Sequence, residues 1–188
     1  LTAEEGTPYT KALQKGRFPE QDEALWEAMM DTACDLLEKA GLQRYEVSNW
    51  ARKGHQSQHN SLYWRGQYWL GLGAGAHGWH PQGIRTIGHL NPKDFIQSPT
   101  TWKESHTPCA RESAIELMLS TIRHIDGIPL QKLRRSGWQI QPEKLATHLE
   151  NGLLVYNENA LQVRARGWKL INSLLLSLES ALEPVSTN

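Results

Sequence analysis

Cysteine, net charge and long apolar runs are all scarce in this sequence, and each scarcity excludes a class of protein. Only Cys34 and Cys109 occur in 188 residues. They lie too far apart for a C-x-x-C metal or redox motif and are too few for a disulfide framework, so a reducing cytoplasm is the expected compartment. Lys+Arg and Asp+Glu balance at 20 each, which leaves the whole chain without the electrostatic footprint of a nucleic-acid or anionic-membrane binder. No apolar stretch reaches the roughly 18 residues of a membrane span. The opening LTAEEGTPYT lacks the charged and apolar regions of a signal peptide. The expectation is a cytoplasmic chain that is not an integral membrane protein. A start at Leu1 rather than Met adds the expectation of a piece of a longer protein.

What is present is an ordinary globular mixture, with 39% hydrophobic residues and 15 Gly, enough for one large domain or two small ones. From Pro19 to Ala40, Leu25, Trp26, Met29, Met30, Ala33, Leu36, Leu37 and Ala40 recur at three- and four-residue spacing, which predicts a helix stopped by Gly41. Tyr45 to Ser48 reads as a following strand. Residues 49 to 107 hold six of the eight His and five of the eight Trp with little helical periodicity, so they read as loops and short strands, with Tyr68 to Leu72 a candidate strand. Beyond Arg111, Ile115, Met118, Leu119, Ile122 and Ile125 predict a helix, and a short one follows to Arg135. A third starts at Pro142, Leu153–Tyr156 and Ala160–Val163 form a hairpin, and Ala165 to Leu182 forms a last helix. The expected architecture is an α/β helix–strand unit followed by a mostly α, winged-helix-like α+β domain, with STN at the end frayed.

Several patterns bear on chemistry. Gly71-Leu72-Gly73-Ala74-Gly75-Ala76 fits the dinucleotide fingerprint, with Asp94 about 20 residues onward. Gly78, Pro81 and Gly83 deny it the helix that would hold a pyrophosphate, so a strand end with close backbone packing is preferred. His55/His59 and His77/His80 have zinc-like spacing, but no Cys, Asp or Glu falls between residues 47 and 93. A structural zinc would need four histidines. His80, His89, His106, His124 and His148 read as surface or hydrogen-bonded side chains, and Cys34 and Cys109 as packing residues. His59 stands apart because Asn60, Tyr63, Trp64 and Arg65 accompany it. Imidazole ligates haem iron, aromatic faces suit a flat macrocycle, and Arg65 would meet a propionate. The competing reading is a Tyr-Trp core anchor with His59 hydrogen-bonded at its edge. Residues 111 to 169 carry a net charge of +3, but the helix from Pro142 to Glu150 offers only Lys144 against Glu143 and Glu150. That favours a structural or protein-contacting module over DNA binding.

Three elements in order, Tyr45-Glu46-Val47-Ser48-Asn49-Trp50-Ala51, His59-Asn60-x-x-Tyr63-Trp64 and Gly71-Leu72-Gly73-Ala74-Gly75-Ala76-His77, resemble the haem-chaperone branch of the oxygen-independent coproporphyrinogen III oxidase-like radical SAM family. The start Glu4-Glu5-Gly6-Thr7 and the tail from Asn151-Gly152-Leu153-Leu154 through Gly167 also fit. H-N-x-x-Y-W marks this branch. Gly78 departs from the Ser usual after Gly-Ala-His, and Arg164 from a common Thr.

The resemblance implies that residues 1–50 are the last helix–strand unit of a radical SAM partial barrel, 51–108 a connecting segment and 109–188 a HemN-type C-terminal domain. It implies a [4Fe-4S] cluster and S-adenosylmethionine in the full-length protein, with the cluster's C-x-x-x-C-x-x-C ligands absent from this chain. Haem would be held by His59, with Asn60, Tyr63 and Trp64 shaping the site, and passed to acceptor proteins of the respiratory chain. Ala51 and His77 match positions that line the SAM pocket in dehydrogenase relatives. The expected activity is binding and transfer rather than catalysis, with no catalytic residue. Acid should release haem as the imidazole takes a proton. The alternatives are a coproporphyrinogen III oxidase of porphyrin biosynthesis and a winged-helix interaction or DNA-binding module.

Overall fold

The computed structural model describes residues 5–17 and 22–185. Pro19, Glu4 and the closing STN lie outside them. The chain divides into two compact units, Leu1–Gln43 and Arg44–Asn188.

The first unit holds α1 (Pro8–Gln14) and α2 (Glu23–Lys39). Thr7 caps α1 ahead of Pro8, a residue suited to a first helical turn because its missing N–H would be unsatisfied there anyway. Asp22 caps α2 by accepting from Ala24 N at 2.9 Å, and Gly41, at φ +77°, ends it as expected. The predicted apolar stripe forms but stays open, with Leu25, Met29 and Leu36 each about 60% exposed.

After β1 (Gln43–Arg44), Tyr45 to Ser48 is not a strand. Glu46 makes a lone antiparallel bridge to His124, flanked by Val47 N to Arg123 O and Ile125 N to Tyr45 O, both 2.9 Å. The partner stretch is too short to extend a ladder, and Ser48-Asn49 turns the chain into β2 (Trp50–Ala51).

The histidine- and tryptophan-rich region contains two helices that its composition hides, α3 (Gln58–Trp64) and, further along, α4 (Pro92–Gln97). Both are under two turns and so carry no apolar stripe. Each starts at a side-chain cap, Ser57 for α3 and Asn91 for α4. β3 (His77–Trp79), β4 (Arg85–Gly88) and β5 (Trp102–His106) form an antiparallel sheet. His77 lies opposite Ile87, and Arg85 lies between Trp79 and His106. Tyr68 to Leu72 contributes only a bridge from Trp69 to Trp79. No helix begins in Gly71–Ala76, which excludes the dinucleotide fold. Close packing explains these glycines: a Cβ on Gly71 would lie 2.5 Å from His77 O, and one on Gly78 2.7 Å from Thr86 Oγ1. The departure at Gly78 therefore has a steric cause.

The remaining elements are α5 (Ala110–Thr121), β6 (Ile128–Pro129), α6 (Leu130–Arg135), β7 (Trp138–Ile140), α7 (Ala146–Glu150), β8 (Leu154–Tyr156), β9 (Ala160–Val163), α8 (Ile171–Ala181) and β10 (Leu182–Pro184). The β8–β9 hairpin forms within one residue of the predicted bounds, β8 starting at Leu154 rather than Leu153, and gains β6 as a third antiparallel strand. The helix predicted from Ala165 is a 3-10 segment to Leu170 followed by α8, and its predicted end, Leu182, opens β10, which pairs with β7. Gly167 fixes the 3-10 stretch, since a Cβ there would lie 2.5 Å from Leu153 O. The core is continuous here: Met118, Ile122, Ile128, Leu133, Leu145, Leu161 and Leu178 are fully buried. Of the α5 stripe, Ile125 is 50% exposed, because α5 ends at Thr121 before reaching it. Cys109 is not a packing residue; it is exposed and caps α5, its N–H donating to Glu112 Oε2 at 2.7 Å.

Candidate functional site

α3 presents His59 and Tyr63 one turn apart on one exposed face, an i, i+4 pair. Tyr63 Oη lies 2.7 Å from His59 Nε2, and the rings meet edge-on at 4.9 Å. Nδ1 of His59 has no partner among the described residues. Tyr63 packs edge-on against Trp69 at 4.7 Å, and Trp69 against Trp79 at 5.7 Å. Arg85 lies over Trp79, 3.8 Å from the ring centroid. Trp69 is fixed by Nε1 donating to His77 O at 2.9 Å. The helix holding His59 therefore abuts a rigid aromatic ladder anchored in the β3–β4–β5 sheet.

The four residues of the predicted haem site split between two faces. Asn60 and Trp64 form the next i, i+4 pair round the helix; Asn60 is half-buried, its N–H donating to Ser57 Oγ at 3.2 Å. Trp64 keeps its indole N–H buried without a partner and lines a cleft of about 520 Å³ together with Trp69, His77, Arg85 and Arg123. His59 does not line that cleft. Arg65 is not free for a propionate, because it pairs with Asp126 at 3.2 Å. Lys132 Nζ donates to Gly66 O at 3.0 Å, so both contacts tie the end of α3 to the C-terminal elements. Ala51, 9% exposed in β2, does not line the cleft that His77 lines.

No group of three or more His, Cys, Asp or Glu that could hold a metal occurs among the described residues. His80, His89, His106, His124 and His148 each have a hydrogen-bond partner, as expected. The sequence has only two cysteines, Cys34 and Cys109, fewer than the thiolates a [4Fe-4S] cluster takes, so this chain's donors do not fit one. No helix is long and apolar enough to cross a membrane among the described residues.

Sequence reasoning missed one buried polar cluster. Glu46, 1% exposed, and His124, 3% exposed, face each other across the bridge, with both Glu46 carboxylate oxygens and His124 Nε2 lacking partners. Burial lowers the His124 pKa against the opposing pull of Asp126 and Glu46, while Arg65 adds to the lowering. A buried base with a lowered folded-state pKa leaves the unfolded chain binding the extra proton. Stability should therefore be unaffected by this group above pH 6.5 or so and fall as pH drops toward the lowered value, by up to about 1.4 kcal/mol per pH unit. Urea midpoints at pH 8, 7, 6 and 5 measure that slope, and His124→Gln should reduce it.

No family model matches the chain. It is 31% identical over 97% of its length to mouse "Radical S-adenosyl methionine domain-containing protein 1, mitochondrial", covering 46% of that protein. It is 30% identical over 93% of its length to "Heme chaperone HemW" of Bacillus subtilis, covering 48%. The chain thus spans about half the length of these curated relatives. The solved Escherichia coli coproporphyrinogen III oxidase HemN, described as a radical SAM enzyme, superposes with a TM-score of 0.60 at 12% identity, covering 80% of this chain and 40% of that one. That likeness is one of fold, and it agrees with the mixed α/β architecture.

Proposed function

Because the chain belongs to the HemW-like family of radical SAM proteins, we propose that it is the haem-holding part of a haem chaperone, with His59 as the iron ligand. The observation that carries this reading is an exposed imidazole braced by an aromatic ladder, in a chain similar to proteins named for carrying haem. A carrier needs a ligand that solvent and an acceptor protein both reach, and a mounting that does not collapse when the cargo leaves. α3 offers both. Nε2 suits the macrocycle better than Nδ1, because Nδ1 lies beside the backbone and a flat ring approaching it meets the helix. Ligation at Nε2 requires the imidazole to give up its contact with the Tyr63 hydroxyl, so Tyr63 acts as an internal competitor that favours release.

In this reading residues 1–50 complete a radical SAM barrel, 51–108 connect, and 109–188 form the winged-helix-like domain; SAM and the cluster belong to the longer protein. Haem acceptors of the respiratory chain are the partners, and the compartment is reducing, in keeping with two cysteines that form no disulfide. The oxidase alternative draws on the HemN fold likeness.

Titration of ferric haem into the chain tests the proposal. A saturable one-to-one Soret shift is expected. A linear rise equal to that of an unrelated histidine-rich protein overturns it.

A further inference from the structure

The cleft beside α3 holds a cation without an ion-pair partner among the described residues. Its apolar walls are Trp64, Trp69, Ile87 and Leu119, and its ionic groups include Arg85, Arg123, Glu104 and Glu116. Glu116 is held by Arg85, whose Nε donates to it at 2.9 Å. Glu104 pairs with Lys103 at 3.0 Å. His106, on the rim, faces Glu112 at 3.3 Å. Arg123 alone among these cations has no carboxylate partner among the described residues; its guanidinium donates to Leu119 O in its own turn of chain. Burial lowers its pKa. Trp64 adds a buried indole N–H without a partner in the same wall. A buried indole N–H without a partner costs free energy unless an acceptor arrives, and a guanidinium without a carboxylate partner beside it supplies the charge to draw one in. Guanidinium selects carboxylate by two parallel hydrogen bonds, and the volume lies within the usual range for small-molecule sites.

We propose that this cleft is a second recognition site, in which Arg123 binds a carboxylate carried on a flat apolar ring system. On the haem reading above, on which the choice of ligand rests, that carboxylate is a tetrapyrrole propionate. Arg65, the nearer sequence candidate, is neutralised by Asp126, and Arg123 takes its place. The site recognises the ring's acid groups and needs no iron, so it is separable from ligation by His59.

The test therefore uses iron-free protoporphyrin IX, followed by fluorescence quenching of the chain's tryptophans, in the wild-type chain and in His59→Ala. Binding should be equal in both, at least 10-fold weaker in Arg123→Gln, and at least 10-fold weaker for the dimethyl ester with the wild-type chain. Arg123→Gln should leave the ester's affinity unchanged, which separates lost recognition from lost folding. Equal binding of diacid and ester by the wild-type chain overturns the proposal, and so does an Arg123→Gln variant that binds the diacid as wild type does. Because iron is absent, failure here leaves the His59 titration free to succeed, and failure of that titration leaves this one readable.

Discussion

His59→Ala is expected to abolish the saturable Soret change, weakening ferric haem by at least ~100-fold, while Tyr63→Phe strengthens it. The first follows from removing the proposed ligand atom: loss of partners that merely orient a metal ligand already costs roughly 10- to 100-fold, and in the proposed function His59 is the ligand itself. The second follows from the 2.7 Å contact between Tyr63 Oη and His59 Nε2. An exposed hydrogen bond of this kind contributes about 0.5–1.5 kcal/mol. Removing it should tighten haem by about 2- to 10-fold, since every tenfold in affinity corresponds to about 1.4 kcal/mol. Phe keeps the ring that packs on Trp69, so the ladder survives the change. Haem titrations of both variants beside wild type give the two signs. Weaker binding by Tyr63→Phe would mean that the hydroxyl supports ligation instead of competing with it.

How much of this was legible depended on whether the deciding contact was local. The helices α2, α5 and α6 and the β8–β9 hairpin lie close to their sequence signals, because apolar residues at helical spacing and a turn between alternating segments are properties of a dozen neighbouring residues. β6 and β10 are two and three residues long and exist only because distant strands receive them. α3 was hidden by its length, yet the His59–Tyr63 pairing within it is an i, i+4 relation that the sequence does contain. Arg65 and Arg123 show the limit. Asp126 neutralises Arg65 from 61 residues away, and Arg123 is left unpaired by a sheet whose register no local pattern reports. Arg123 counted only toward a net charge in the sequence. Its solitude beside Trp64 is a tertiary fact.

The turn that carries Asp126 and His124 into place supplies the last expected result: Gly127→Ala should destabilise the chain by about 3 kcal/mol or more, against about 1 kcal/mol for Gly137→Ala. Both glycines have positive φ, +71° and +85°, so both substitutions incur the left-handed penalty of roughly 1–2 kcal/mol. They differ in surroundings. A Cβ on Gly137 meets nothing within 4 Å, whereas one on Gly127 would lie 2.3 Å from Leu161 O and 2.7 Å from Gln162 Cγ. Leu161 is fully buried and is the β9 residue that faces Ile128 of β6, so relief requires moving a strand out of the core rather than turning a flexible side chain. Core displacement of this kind belongs among the few mechanisms with large effects. Urea unfolding of the two variants isolates the clash from the dihedral cost, because only the first term differs. The proposed haem site should feel it too: Asp126 is the anchor of Arg65 at the end of α3, and a displaced turn frees the helix that presents His59. Gly127→Ala is therefore expected to weaken haem at temperatures where the chain is still folded, and Gly137→Ala to leave it unchanged.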